Sequence, residues 1–94
     1  MTNLIVRQKI EDLNKWKKAV NDGLAFRKAG GEVSFRAFRA FRAVDEPNHI
    51  TVLCEWKSLA QAKEFTQSKE LRERMEGAGV IGQPEFFYLE EVEL

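Results

Sequence analysis

The sequence predicts one α+β domain over residues 1–94, a ferredoxin-like βαββαβ unit whose four-stranded antiparallel sheet carries two helices on one face. Three observations lead there. The hydrophobic period switches between two and 3.6, in the order strand, helix, strand, strand, helix, strand. The connections are short, and no linker or low-complexity segment interrupts them. Large apolar residues also stand on both faces of the strands.

Leu4 to Ile10 alternates, with Leu4, Val6 and Ile10 on one face and Arg7 and Lys9 on the other, which makes the first strand. Asp12 suits an N-cap, and Leu13, Trp16, Val20 and Leu24 recur at helical spacing with Phe26 at the edge of the stripe. Gly30-Gly31 ends that helix, because glycine reaches the left-handed conformation of a helix C-terminus without penalty. Val33 to Val44 reads as a second strand rich in Phe and Arg. Asp45-Glu46-Pro47-Asn48 supplies turn chemistry, and Ile50 to Trp56 is a β-branched third strand, so the two form a hairpin. Ser58-Leu59-Ala60-Gln61 has the spacing of a capping box and opens the second helix. Its stripe of Ala62 and Phe65 changes phase before Leu71 and Met75, which predicts a break near Gln67-Ser68. Gly77 to Pro84 reads as a loop and Glu85 to Val92 as the last strand.

A lone sheet with helices on one side leaves its other side to water and alternates apolar with polar. Here Phe86 and Tyr88 share one face of the last strand, and Phe87 and Leu89 the other. Strand two sets Phe35 and Phe41 against Phe38, and strand three sets Ile50, Val52 and Trp56 against Leu53. Both faces call for burial, which predicts a homodimer closing sheet against sheet.

Composition excludes several classes. Fifteen Lys and Arg balance fifteen Asp and Glu, and the pI is about 6.6, so bulk positive charge for nucleic acid is missing. No apolar run is long enough to span a membrane, and the N-terminus lacks the pattern of a signal peptide. A single cysteine, Cys54, leaves no internal disulfide framework or multi-cysteine metal site and fits a reducing, cytoplasmic setting. Locally the charge is uneven. Residues 1–44 hold ten basic groups against four acids, and residues 45–94 hold five against eleven. Side-by-side neutralisation of the two halves explains this, as does complementary charge across a self-association interface.

Leu53-Cys54-Glu55-Trp56-Lys57-Ser58, followed by Ala62, Phe65 and Ser68, resembles the acid-Trp-x-Ser…Ala…aromatic…Ser signature of the dimeric α+β barrel superfamily. That group includes antibiotic-biosynthesis monooxygenases and haem-degrading monooxygenases. Asp12, Trp16 and Lys17, with Asp45-Glu46-Pro47-Asn48 and Ala78-Gly79-Val80, are similar to one branch of small proteins within it. The resemblance covers nearly the whole chain and implies a homodimer with a ligand pocket between helices and sheet. Haem-degrading relatives carry Trp and His where this chain has Phe65 and Met75. The resemblance therefore implies neither haem degradation nor any cofactor, and the missing helix-two Trp also weakens the link to cofactor-free oxygenation.

Some features look chemical in isolation. Gly77-Ala78-Gly79-Val80-Ile81-Gly82 is a literal G-x-G-x-x-G, but a dinucleotide loop follows a strand and opens a helix, and here the order is reversed. His49, the only histidine, is a weak general-base candidate with Asp45 or Glu46 nearby, and no nucleophile is spaced to work with it. No second His or carboxylate cluster accompanies it, so no metal site is predicted. Cys54, in an apolar run, reads as a buried thiol with a raised pKa. Phe35-Arg36-Ala37-Phe38-Arg39-Ala40-Phe41-Arg42-Ala43 interleaves aromatics with arginines, as single-strand binders do. The third strand lacks the Gly-aromatic run of an RNA-recognition module, however, and RNA binding is set aside. The arginines are expected to meet Glu85, Glu90, Glu91 and Glu93 of the last strand, in the same subunit or a partner.

These readings converge on a homodimer with a small, mostly apolar pocket beneath the helices, lined by Trp16, Phe65 and Met75 and suited to a flat aromatic or apolar molecule. Tyr88 and His49 are the polar candidates. Two function classes follow. One is a binding protein resembling cofactor-free monooxygenases, with oxygenase or cyclase-like chemistry on a substrate that supplies its own electrons. The other is a non-catalytic binding or stress-associated module.

Overall fold

β1 (Thr2–Ile10) is the spine of the molecule. It lies between β3 (His49–Trp56) and β4 (Val80–Leu89), and β2 (Arg39–Arg42) completes an antiparallel sheet of order β2-β3-β1-β4. The structure, a computed structural model, describes residues 1–33 and 38–94. Strands joined by a helix skip one place in this order, which is the split βαβ arrangement the element sequence predicts.

Period-two alternation puts Leu4, Val6, Gln8 and Ile10 of β1 and Ile50, Val52, Cys54 and Trp56 of β3 on one buried face. Leu4 and Cys54 are cross-strand partners, as are Val6 and Val52, so the core face is in register. Trp56 is fully buried and Phe65 packs on it at 4.3 Å between ring centroids. Phe26 lies 5.5 Å beyond Phe65.

Each expected helix is two short ones. α1 (Leu13–Asp22) starts where Asp12 accepts hydrogen bonds from the backbone N–H groups of Asn14 and Lys15. Gly23 separates it from α2 (Leu24–Gly30), a break the hydrophobic period did not announce. α3 (Leu59–Gln67) opens on Ser58, whose Oγ accepts from the Gln61 N–H and donates to the Gln61 side chain. α4 (Lys69–Gly77) follows the expected break. Ser68 is extended there and caps the new helix through the Leu71 N–H.

Three boundaries differ from expectation. β4 begins at Val80 and stops at Leu89, so the segment expected as a loop through Pro84 is mostly strand, and Glu90 to Val92 lie outside it. Pro84 is tolerated because β4 is an edge strand, and it falls at a register shift where Gly82 takes a φ of 71°. The strand expected over Val33 to Val44 is described only as Arg39–Arg42, with Glu32 bridging Trp56; Phe35 and Arg36 lie outside the described residues. Finally, β2 and β4 are opposite edges of the sheet, so Arg39 and Arg42 do not meet Glu85 of their own subunit's β4. Arg39 instead stacks on Phe41 at 5.1 Å.

Expectation for the other sheet face holds in its polarity. Ile5 is the cross-strand partner of Leu53 on one side and of Phe87 on the other, away from the helices, and Phe41, Phe87 and Leu89 are exposed there. No helix among the described residues is long and apolar enough to cross a membrane.

Two glycines give a paired stability test. Gly31 caps α2 at a φ of 118°, and a Cβ there would lie 2.9 Å from Gln61 Cδ. Gly31→Ala is expected to destabilise by ~1–3 kcal/mol from backbone strain. Gly77 has nothing within 4 Å of a built Cβ, and Gly77→Ala should stabilise by ~0.4–1 kcal/mol through the unfolded chain. Urea unfolding of both variants checks the pair, and equal effects of one sign would overturn it.

Candidate functional site

Between the four helices and the core face of the sheet lies a cavity of about 90 Å³. Its floor is the inward side of β1 and β3: Val6, Gln8, Val52 and Cys54. Trp16 and Val20 of α1 wall one side, Phe26 of α2 and Phe65 of α3 the next, and Leu71 and Met75 of α4 the third. The helix breaks explain why the space exists. Ridge-to-groove packing of one long helix on a sheet leaves little void, whereas a turn at Gly23 and another at Ser68 bend the layer around the floor.

Trp16, Phe65 and Met75, expected as walls, therefore line one cavity. The two polar candidates stand elsewhere. His49 projects from the sheet face opposite the helices, where Nε2 pairs with Glu46 Oε2 at 3.0 Å. Tyr88 is on the helix side, as its alternation with Phe87 requires, but its hydroxyl is hydrogen-bonded to Thr66 Oγ1 and its ring lies beneath Lys63 Nζ. It borders a separate surface hollow with Thr2, Leu59 and Leu89.

Cys54 contributes a thiol to the floor. It donates toward the Leu4 carbonyl at 3.7 Å and accepts from Trp56 Nε1 at 3.4 Å. Burial pushes its pKa up to about 11, so at neutral pH it is a small apolar surface rather than a nucleophile. Among the described residues no group of three His, Cys, Asp or Glu side chains gathers as a metal site would require.

The residue that sequence reasoning missed is Arg27. It is 6% exposed and lines the cavity. Its Nε donates to Glu32 Oε2 at 2.8 Å, its Nη1 donates to the Val20 carbonyl at 2.6 Å, and its guanidinium lies 4.6 Å from the Phe38 ring centroid. A signal was present. Trp16, Val20, Gly23 and Arg27 are spaced i, i+4, i+7, i+11, so Arg27 occupies a position of the inward stripe where Leu is usual. Only Arg74 carries a second charge into the lining among the described residues, stacked on Phe26 and paired with Glu70 at 2.9 Å.

Burial raises the Glu32 carboxyl above its ordinary 4.5, against the pull of Arg27. Between that value and the raised one, the native state keeps a proton that the unfolded chain releases. The group therefore favours folding at low pH and loses that contribution as pH rises through its folded pKa. Wild type should lose stability relative to Glu32→Gln as pH increases from about 4.5. Urea midpoints of both proteins across pH 4 to 8 measure this, and a difference that moves in the wild type's favour would overturn it.

No family model matches the chain, and no curated protein matches it. Solved structures do. An antibiotic biosynthesis monooxygenase-like protein of Bordetella bronchiseptica superposes with a TM-score of 0.76 at 14% identity, over 98% of this chain and 97% of that one. A similar protein of Caulobacter crescentus gives 0.71 at 19% identity, over 98% and 90%. A variant of SnoaB, a cofactor-independent oxygenase from Streptomyces nogalater, gives 0.71 at 11% identity, over 99% and 94%. Similarity of this kind extends end to end through sheet and helices alike. The chain has the fold of the antibiotic biosynthesis monooxygenase-like α+β proteins.

Proposed function

We propose that the protein binds a flat, largely apolar small molecule in the cavity walled by Trp16, Phe65 and Met75, and that it does so as a homodimer. The observation that carries the first part is convergence. Three aromatic side chains and a methionine from four separate helices face one space over an apolar floor, with few polar groups to fix an orientation. An ordinary core would have closed that space.

The dimer rests on the other side of the sheet. Ile5, Leu53 and Phe87 form an apolar centre, flanked by Phe41 and Leu89, on a surface that no element of the chain covers among the described residues. A second copy stacked on this face buries it and leaves both cavities open on the outside.

The fold shared with a cofactor-independent oxygenase supports oxygenation of an electron-rich substrate as the enzymatic form of this reading. The lining favours binding without catalysis. Its charged groups among the described residues are the guanidiniums of Arg27 and Arg74, which are hydrogen-bond donors only, and burial keeps the Cys54 thiol protonated, so the lining holds no general base. His49 and Tyr88, the candidates for that work, stand outside it.

Two experiments test the reading. Native mass spectrometry of freshly purified protein is expected to give a species near twice 10.9 kDa carrying a small-molecule adduct. Trp16→Ala should lower the adduct's occupancy at least tenfold; an undiminished adduct would place the ligand elsewhere. In sedimentation velocity, Phe87→Glu should convert the dimer to a folded monomer, since it sets one charge in the centre of each buried face. A Phe87→Glu dimer as tight as wild type would remove this face from the interface.

A further inference from the structure

The core face of β1 carries one polar residue. Leu4, Val6 and Ile10 are aliphatic, as period-two burial requires, and Gln8 stands in the same row at 9% exposure. It lies in the floor of the cavity, on a central strand, with helices above and a strand on either side. The open space that its side chain borders is therefore the cavity itself. Among the described residues nothing hydrogen-bonds to its carboxamide, and neither Oε1 nor Nε2 is sealed in as Arg27 Nη2 and Glu32 Oε1 are. A buried polar group without a partner weakens the fold, so native chains rarely keep one without a use.

A second, independent observation concerns the backbone at the same position. Arg7 pairs with Glu85 and Lys9 with Ile81, so the single residue Gln8 faces three, Gly82, Gln83 and Pro84. β4 thus bulges beside Gln8, and bulges recur next to binding sites because they re-aim a side chain. The irregularity and the unpartnered amide fall on one residue of a strand whose other pairings run in step.

We infer that Gln8 orients the ligand, and that the cavity takes a flat ring whose edge carries an N–H donor beside a carbonyl acceptor, as a cyclic amide does. This rests on the small-molecule reading above and narrows it to a ligand class. A carboxamide offers one acceptor oxygen and two N–H donors. A purely apolar ring leaves both ends unmade, and a ring with a carbonyl alone leaves Oε1 unmade. A donor–acceptor edge satisfies both at once, by the two-point geometry with which glutamine reads the edge of adenine. Trp16 and Phe65 then supply the apolar walls for the ring.

The test compares 2-quinolinone with coumarin, which has the same shape and carbonyl but a ring oxygen in place of the N–H. By isothermal titration calorimetry wild type should bind 2-quinolinone roughly tenfold more tightly or better. Gln8→Leu should erase that preference while still binding coumarin. Equal affinities in wild type would overturn the cyclic-amide class and leave the cavity reading standing. A preference that survives in Gln8→Leu would overturn the role of Gln8. Failure of both probes to bind wild type would overturn the cavity reading and this inference with it. Without ligand, Gln8→Leu should unfold at a higher urea concentration than wild type, because leucine leaves no amide buried in the floor. A lower midpoint would mean an amide bonded within the fold, and the inference would fall. The ¹⁵N side-chain resonances of Gln8 in wild type need no variant: they should move when 2-quinolinone is added, and unmoved resonances overturn the contact.

Discussion

The Arg27–Glu32 pair is the joint on which the helix layer depends. Arg27 belongs to α2 and also holds the Val20 carbonyl at the C-terminal end of α1, so it spans the turn at Gly23. Glu32 lies just past α2, and its backbone bridges Trp56 at the end of β3. One ion pair therefore ties two helices to the sheet. Taking both charges out of water is costly, and removing either partner alone leaves the other buried without compensation. The pair is best understood as a device for position. It fixes how α2 departs from α1, and that departure opens the space over the sheet.

From this follows the division of labour between the two sheet faces. The inward face supplies an apolar floor of Val6, Val52 and Cys54, and the split helices arch over it. The outward face is apolar at its centre and charged at its margins, with Arg39 on one edge strand and Glu85 on the other. A chain of this size lacks the material to cover both sides of its own sheet. It has spent its helices on the side that holds the cavity.

Much of the fold was legible because it is written in alternation. Leu4, Val6, Ile10, Ile50, Val52 and Trp56 declare their face by spacing alone, and Asp12, Ser58 and Ser68 announce helix starts through side-chain chemistry. The cavity walls Trp16, Phe65 and Met75 were legible for the same reason, since they are inward positions of helices. What escaped has a common cause. The turn at Gly23, the extension of β4 through Pro84 and the pairing of Arg27 with Glu32 are settled by contacts between segments distant in space, where local pattern is silent. Glycine is too permissive to mark a helix break, and proline forbids only a donor that an edge strand does not need. His49 was raised by its chemistry alone, and the register then set it on the face away from the cavity.

The wall segments are short: α2 has seven residues, α3 and α4 nine each, and α1 ten. Helices below about 12 residues do not hold their shape unaided in water. Each wall thus borrows its order from the sheet and from its neighbours. The backbone amides of β1 and β3, locked into ladders on both sides, are expected to exchange with solvent only when the whole molecule opens, and those at the ends of the short helices sooner. The outline of the cavity is therefore only as firm as the contacts between its walls, and the anchoring of α2 through Arg27 makes the arch hold or yield as one layer.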